Sequence, residues 1–235
     1  MPPLKISRAN AADRLTLSYK PEKEYHLYKE NKPVGNKEIS TGLTKEKQVY
    51  DMKNASLRKI IFAALMAALT TVATMIIRIP TPTQGYIHLG DGMVLLCGAL
   101  LGPGLGALAA GIGSMLSDLF AGYMSYVPGT FVIKALTAMV GGWLYLRLSA
   151  GADRRAVPVR VVLSGIPAEA VMVIGYFLYE MGMEVAMGSN AAAAATAVAV
   201  GIPMNIVQGV AGVIVCAVLL PVLSLHKGIV TAKNG

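Results

Sequence analysis

Residues 85–134 read GYIHLGDGMVLLCGALLGPGLGALAAGIGSMLSDLFAGYMSYVPGTFVIK, an almost wholly apolar run that carries His88, Asp91, Asp118 and Lys134. At membrane depth an ionisable side chain is costly unless it faces protein or water, so a fold that accepts this run must enclose those groups. Residues 93–101 and 105–120 are each short for the roughly 20 residues that span a bilayer, and Gly102, Pro103 and Gly104 separate them. In a membrane protein, short apolar segments interrupted by Gly and Pro point to a binding site. Two readings of the charges stay open: Asp118 and Lys134 pair as structural glue, or they reach a ligand.

The rest of the composition fits a membrane protein. Hydrophobic residues make up 54% and charged residues 14%, with a mean hydropathy of +0.56, far from the quarter of charged residues usual in soluble domains. Residues 1–56 hold 11 of the 21 Lys and Arg and 7 of the 13 Asp and Glu. The net charge of +8 therefore reflects a polar extension and flanking basic residues. It forms no basic stripe interleaved with aromatics, so nucleic-acid binding is not expected. Cys97 and Cys216 both sit in apolar segments and suit neither a disulfide framework nor a metal site. No cofactor and no metal are expected.

Taken in order, residues 1–56 have mixed charge, Pro3, Pro21 and Pro33 and no apolar period, and are expected to be a flexible cytoplasmic extension. Residues 57–79 are a first membrane helix, with Lys53, Arg58 and Lys59 holding that end in the cytoplasm. Ala63 with Ala67, and Ala64 with Ala68, repeat at i, i+4 and make a small-residue face, for a partner or for the chain's own helices. Residues 80–90 are an outer loop by their prolines and glycines. Asp91 follows, better suited to capping the next helix than to a ligand.

The turn at 102–104 brings the chain back out, and Tyr123 and Tyr126 lie in the next outer turn. Residues 127–148 descend with Lys134 about two turns in, ending at Trp143, Tyr145 and Arg147 on the inner side. Arg154, Arg155 and Arg160 keep the following loop cytoplasmic. Residues 161–181 carry Pro167 and a central Glu169, with Tyr176 and Tyr179 toward the outside. Residues 192–223 carry Pro203 and two amides, Asn205 and Gln208, on one helical face, for a ligand or for neighbouring backbone. The expectation is an all-α bundle of six transmembrane helices over 57–226, with a cytoplasmic tail at 227–235 and both termini inside.

The run GYIHLGD at 85–91, Leu101-Gly-Pro103, SDLFAGY at 117–123 and PGTFVIK at 128–134 resembles the substrate-binding S component of energy-coupling factor (ECF) vitamin transporters. The resemblance covers the chain from Leu57 onward and is specific for the superfamily rather than the substrate. It implies a non-enzymatic subunit of the bacterial plasma membrane that captures a small water-soluble vitamin. Its implied partners are a transmembrane coupling subunit and two ATPases. The first outer loop would close over the substrate, which makes Gln84, Tyr86 and His88 candidates beside Asp118, Tyr123, Tyr126, Lys134, Glu169, Tyr176, Asn205 and Gln208. The alanines at 63, 64, 67 and 68 look like the family's docking face for the coupling subunit.

No GxxxxGK[ST] sequence occurs, so the chain does not hydrolyse ATP by the P-loop route. Two rival classes exist. An intramembrane aspartyl enzyme would pair Asp91 with Asp118, and an autonomous carrier would use Glu169 as a proton site. Among vitamins, Lys134 with the tyrosines would suit an anion such as pantothenate. Asp118 and Glu169 would suit a pyrimidine, pyridoxine-like or flavin ring.

Overall fold

The computed structural model describes residues 37–76, 78–80, 86–150 and 156–225. Compactness divides the chain into two units, Met1–Met52 and Lys53–Gly235. The first helix, α1, runs Lys37–Ile76, so it starts at Lys37 rather than at residue 57 and ends three residues before the expected 79. Residues 37–56 lack an apolar period, but they also lack proline and hold four Lys and two Glu, which favour a helix. The flexible extension expected over 1–56 is thus helical from Lys37. The earlier residues, Gln84, the Arg154 and Arg155 loop and the 227–235 tail lie outside the described residues.

The expected loop after α1 is instead a short hairpin. Strand β1 (Arg78–Pro80) pairs antiparallel with β2 (Tyr86–His88) in the register Arg78–His88, Ile79–Ile87 and Pro80–Tyr86. Pro80 is tolerated because it ends its strand.

Helix α2, Asp91–Ala121, is broken at Gly102, whose φ of 78° and ψ of 176° only glycine adopts readily. The two arms fold back on each other. A methyl group on Gly106 would collide with the carbonyl oxygen of Cys97, which a straight helix would hold about 13 Å away. The second arm ends in a Schellman cap, with Gly122 at φ 82°, Tyr123 N–H donating to Asp118 O at 2.9 Å and Gly122 N–H to Leu119 O at 3.3 Å.

Three longer helices complete the bundle. Helix α3 is Val127–Ser149 and α4 is Val157–Ala186. The expected single helix over 192–223 is a short α5, Ala191–Val198, a 3-10 turn at Ala199–Gly201, and α6, Ile202–Leu225. Pro203, unable to donate to the preceding turn, accounts for that interruption. Glycines bring the helices into backbone contact: Gly98 faces Ala138 and Gly142 of α3, and Gly113 faces Ala67 and Thr70 of α1. Met66, Val94, Leu96, Cys97, Ala138 and Leu220 are among the side chains buried there.

The described helices include five spans long and apolar enough to cross a membrane: Ser56–Ile76, Asp91–Ala121, Val127–Ser149, Val157–Ala186 and Ala191–Leu223. Their outward faces are apolar, with Leu65, Val132, Ile166, Val210 and Ile214 exposed, while Asp91 and Lys134 are enclosed completely. That inverted distribution belongs in a bilayer. The fold is an all-helical membrane bundle with one short hairpin.

Candidate functional site

The centre of the bundle is an ion pair that joins α2 to α3. Helix α3 turns a polar and small-residue stripe inward, Thr130, Lys134, Thr137 and Gly141, which recur at helical spacing and are all buried. Lys134 is fully enclosed, and its Nζ is bonded to Asp91 Oδ1. Asp91 Oδ2 accepts from Gln208 Nε2 of α6 at 2.7 Å, and Gln208 Oε1 accepts from the backbone N–H of His88 at 2.9 Å. Three helices and the hairpin are thereby tied to one carboxylate. Gly212 makes the approach possible, since a methyl group there would lie 2.7 Å from Asp91 Cβ.

Two expectations are corrected by this arrangement. Asp91 makes no side-chain cap at the start of α2, because its oxygens are taken by Lys134 and Gln208. Lys134 pairs with Asp91 and not with Asp118, because the first arm of α2 brings Asp91 against the stripe of α3.

His88 closes the top of the cluster. It is buried, and its Nδ1 accepts from Gly90 N–H at 2.9 Å, which fixes a neutral ring with the proton on Nε2. Burial, with the Lys134 ammonium nearby, pushes its pKa down to about 3. Thr74 of α1 packs against Gly90 from the other side.

Tyr176 stands beside the ammonium, and further tyrosines cluster with it. Lys134 Nζ lies 5.2 Å from the ring centroid of Tyr176, a cation–π distance, and Tyr176 OH shares a 3.1 Å hydrogen bond with Thr130 Oγ1. Tyr126 O–H donates to Glu180 Oε1 at 3.4 Å, and its ring stands edge-on to Tyr123 with centroids 6.3 Å apart. Tyr179 lies 6.2 Å from Tyr126 and donates to Ser125 O at 2.5 Å. Asp118 is buried within electrostatic reach of Tyr126 and Tyr176. Beside the ion pair, the tyrosines and Thr130 present hydroxyl groups and ring faces.

Sequence candidates therefore fall into groups. His88, Lys134 and Gln208 meet at the ion pair, and Asp118, Tyr123, Tyr126 and Tyr176 belong to the tyrosine side. Tyr86 is described only as a strand residue. Asn205 is half-buried one turn before Gln208. Glu169 comes within electrostatic reach of Asp91 and Lys134 but packs on Gly209, with neither carboxylate oxygen hydrogen-bonded. Sequence reasoning did not count Asp91, Thr130, Tyr179 or Glu180 as site residues. The Thr130 and Lys134 spacing and the Tyr176, Tyr179 and Glu180 spacing were the available signals.

The alanine face also divides. Ala67 is buried, with its carbonyl against Gly113, and Ala63 is half-buried, whereas Ala64 and Ala68 are exposed. The four alanines thus split between the two readings, with Ala63 and Ala67 turned toward the chain's own helices and Ala64 and Ala68 outward.

A relative from Pyrococcus woesei, described as an "Uncharacterized protein in gap 3'region", is 36% identical over 151 residues, covering 62% of this chain and 87% of the relative. A solved structure titled "Structure and mechanism of the S component of a bacterial ECF transporter" has the same fold, with a TM-score of 0.53 at 18% identity, over 74% of this chain and 99% of that one. A family model described as "ECF-type riboflavin transporter, S component" matches residues 54–225. The chain, with its membrane bundle and its buried polar centre, belongs to the family of ECF-type riboflavin transporter S components.

Proposed function

We propose that the protein captures a flavin from outside the cell and passes it inward as the substrate-binding subunit of an ECF importer. The observation that carries this reading is the enclosed Lys134–Asp91–Gln208 cluster beneath Tyr123, Tyr126, Tyr176 and Tyr179. A ligand above a self-neutralised pair need not bring a charge. A pantothenate carboxylate would have to displace Asp91 from the ammonium, and a cationic ring would have to displace Lys134 from the carboxylate. An isoalloxazine ring with a polyol chain stacks on tyrosines and exchanges hydrogen bonds, and the family description favours the same class.

In this reading the two arms of α2 cross the membrane separately, giving six crossings with both termini in the cytoplasm. The first outer loop, which carries Gln84 and Tyr86, closes over the bound ring. Energy comes from a coupling subunit and two ATPases in the cell membrane, and the coupling subunit docks on the outward pair Ala64 and Ala68. The aspartyl-enzyme alternative loses its basis, since Asp91 is committed to Lys134 and Gln208.

Titration of riboflavin fluorescence with the detergent-purified full chain tests the assignment. Quenching that riboflavin competes for, and that pantothenate, thiamine and pyridoxine relieve at least about tenfold less well, is expected, a gap of about 1.4 kcal/mol. Tighter binding of any of those three would overturn the flavin reading.

A further inference from the structure

Glu169 lies within a long apolar groove that the polar centre does not use. Helices α4 and α6 part to leave a groove of about 530 Å³, walled by Val162, Ile166, Val210 and Ile214, with Glu169 its one ionisable lining residue. The walls are exposed on the outward face of the bundle, while Glu169 is only 6% exposed and neither oxygen has a hydrogen-bond partner. Gly209 keeps it there, since a methyl at that position would meet Glu169 Cβ at 2.9 Å.

Glu169 follows Arg160 on α4 by nine residues, a rise of roughly 13 Å, which is close to the middle of a hydrocarbon core about 30 Å thick. A buried carboxyl at that depth requires a donor. Phospholipid headgroups do not reach the bilayer centre. Among the described residues, a second copy exposes Arg58, Lys59 and Arg147 only near the ends of its spans, and no Lys, Arg, Asn or Gln is exposed in the middle of one. A side chain carried on another helix does reach it, and the β-branched walls form the ridges against which a helix packs.

We propose that the groove between α4 and α6 is a docking site for a transmembrane helix of a different polypeptide, which presents a Lys, Arg, Asn or Gln side chain to Glu169. The groove opens on the outward face of the bundle and its lining includes neither Asp91 nor Lys134, although Glu169 behind it lies within electrostatic reach of both.

The probe is a 23-residue Leu/Ala helix with a central Lys, Gln or Leu, reconstituted in phosphatidylcholine vesicles with the full chain. A photo-crosslinking residue replaces Ile174 beside the groove. The Lys and Gln peptides should crosslink at least about tenfold more than the Leu peptide. Glu169→Leu should erase that preference without lowering the unfolding temperature, because it removes an unsatisfied group. Val210→Trp, which fills the groove and leaves Glu169 intact, should block both peptides. Equal labelling of the three peptides, a preference that survives Glu169→Leu, or crosslinks found on lipid alone would overturn the proposal. So would a strongly destabilised Glu169→Leu protein, which would mark the carboxyl as internal glue.

Discussion

Replacing Lys134 by Met keeps an unbranched side chain of similar length and removes the charge. In the parent the ammonium and Asp91 are both fully enclosed, so water cannot replace the lost partner. Gln208 already donates to the other carboxylate oxygen and has nothing further to add. Breaking a buried pair from one side costs about 3 to 5 kcal/mol. At about 2 to 4 °C per kcal/mol for chains of this size, the unfolding temperature of the unliganded protein should fall by about 6 to 20 °C. The fluorescence of Trp143, the single tryptophan, follows the transition in detergent. Removing both charges, as Lys134→Met with Asp91→Leu, should recover part of that loss and leave a deficit of about 1 to 3 kcal/mol, because paired apolar replacements are tolerated but the Gln208 amide loses its acceptor. A single variant that melts with the parent, or a double variant no better than the single, would refute the pair as the organising contact.

Three further outcomes follow from particular contacts. Neutral His88 refuses a proton in the fold down to about pH 3, whereas the unfolded chain takes one below about 6.5; stability therefore falls as pH drops through that window, by up to about 1.4 kcal/mol per unit. Thermal melts at pH 7 and 5 should show a loss of about 2 kcal/mol, and His88→Asn should flatten it; a parallel profile in the variant would clear His88. Ala64→Trp should leave flavin binding and melting unchanged while abolishing uptake, whereas Ala67→Trp should destabilise the isolated protein by about 1 to 3 kcal/mol or more through overpacking against Gly113. Gly106→Val should be similarly destabilising, since its side chain would enter the Cys97 backbone; a variant that melts like the parent would deny the fold-back of α2.

The break in α2 was legible because Gly-Pro-Gly at 102–104 cannot continue a helix, and the enclosed lysine was legible because it stood in an apolar run. Its partner was not. Asp118 precedes Lys134 by 16 residues across one short turn, while Asp91 is 43 residues away and reaches it only through the first arm of a folded α2. Sequence distance favoured the wrong carboxylate. The two alanine pairs share one i, i+4 period, and a period alone does not say which of two neighbouring stripes meets the core. Residues 37–56 form a helix without amphipathic pattern, so the signal that located the spans was silent there. Glu169 was singled out by its cost, yet only the packing of α4 on α6 shows that it reaches the ion pair electrostatically and bonds to neither member.

The most direct test of the central claim needs no assumption about the ligand. The full chain is purified in mild detergent from cells grown in rich medium, denatured, and the released small molecule identified by mass spectrometry and absorption. A flavin at a stoichiometric ratio, lost from the Tyr176→Ala and Gln208→Leu proteins, is the expected result. A different vitamin at that ratio, or a flavin retained undiminished by both variants, would contradict the account.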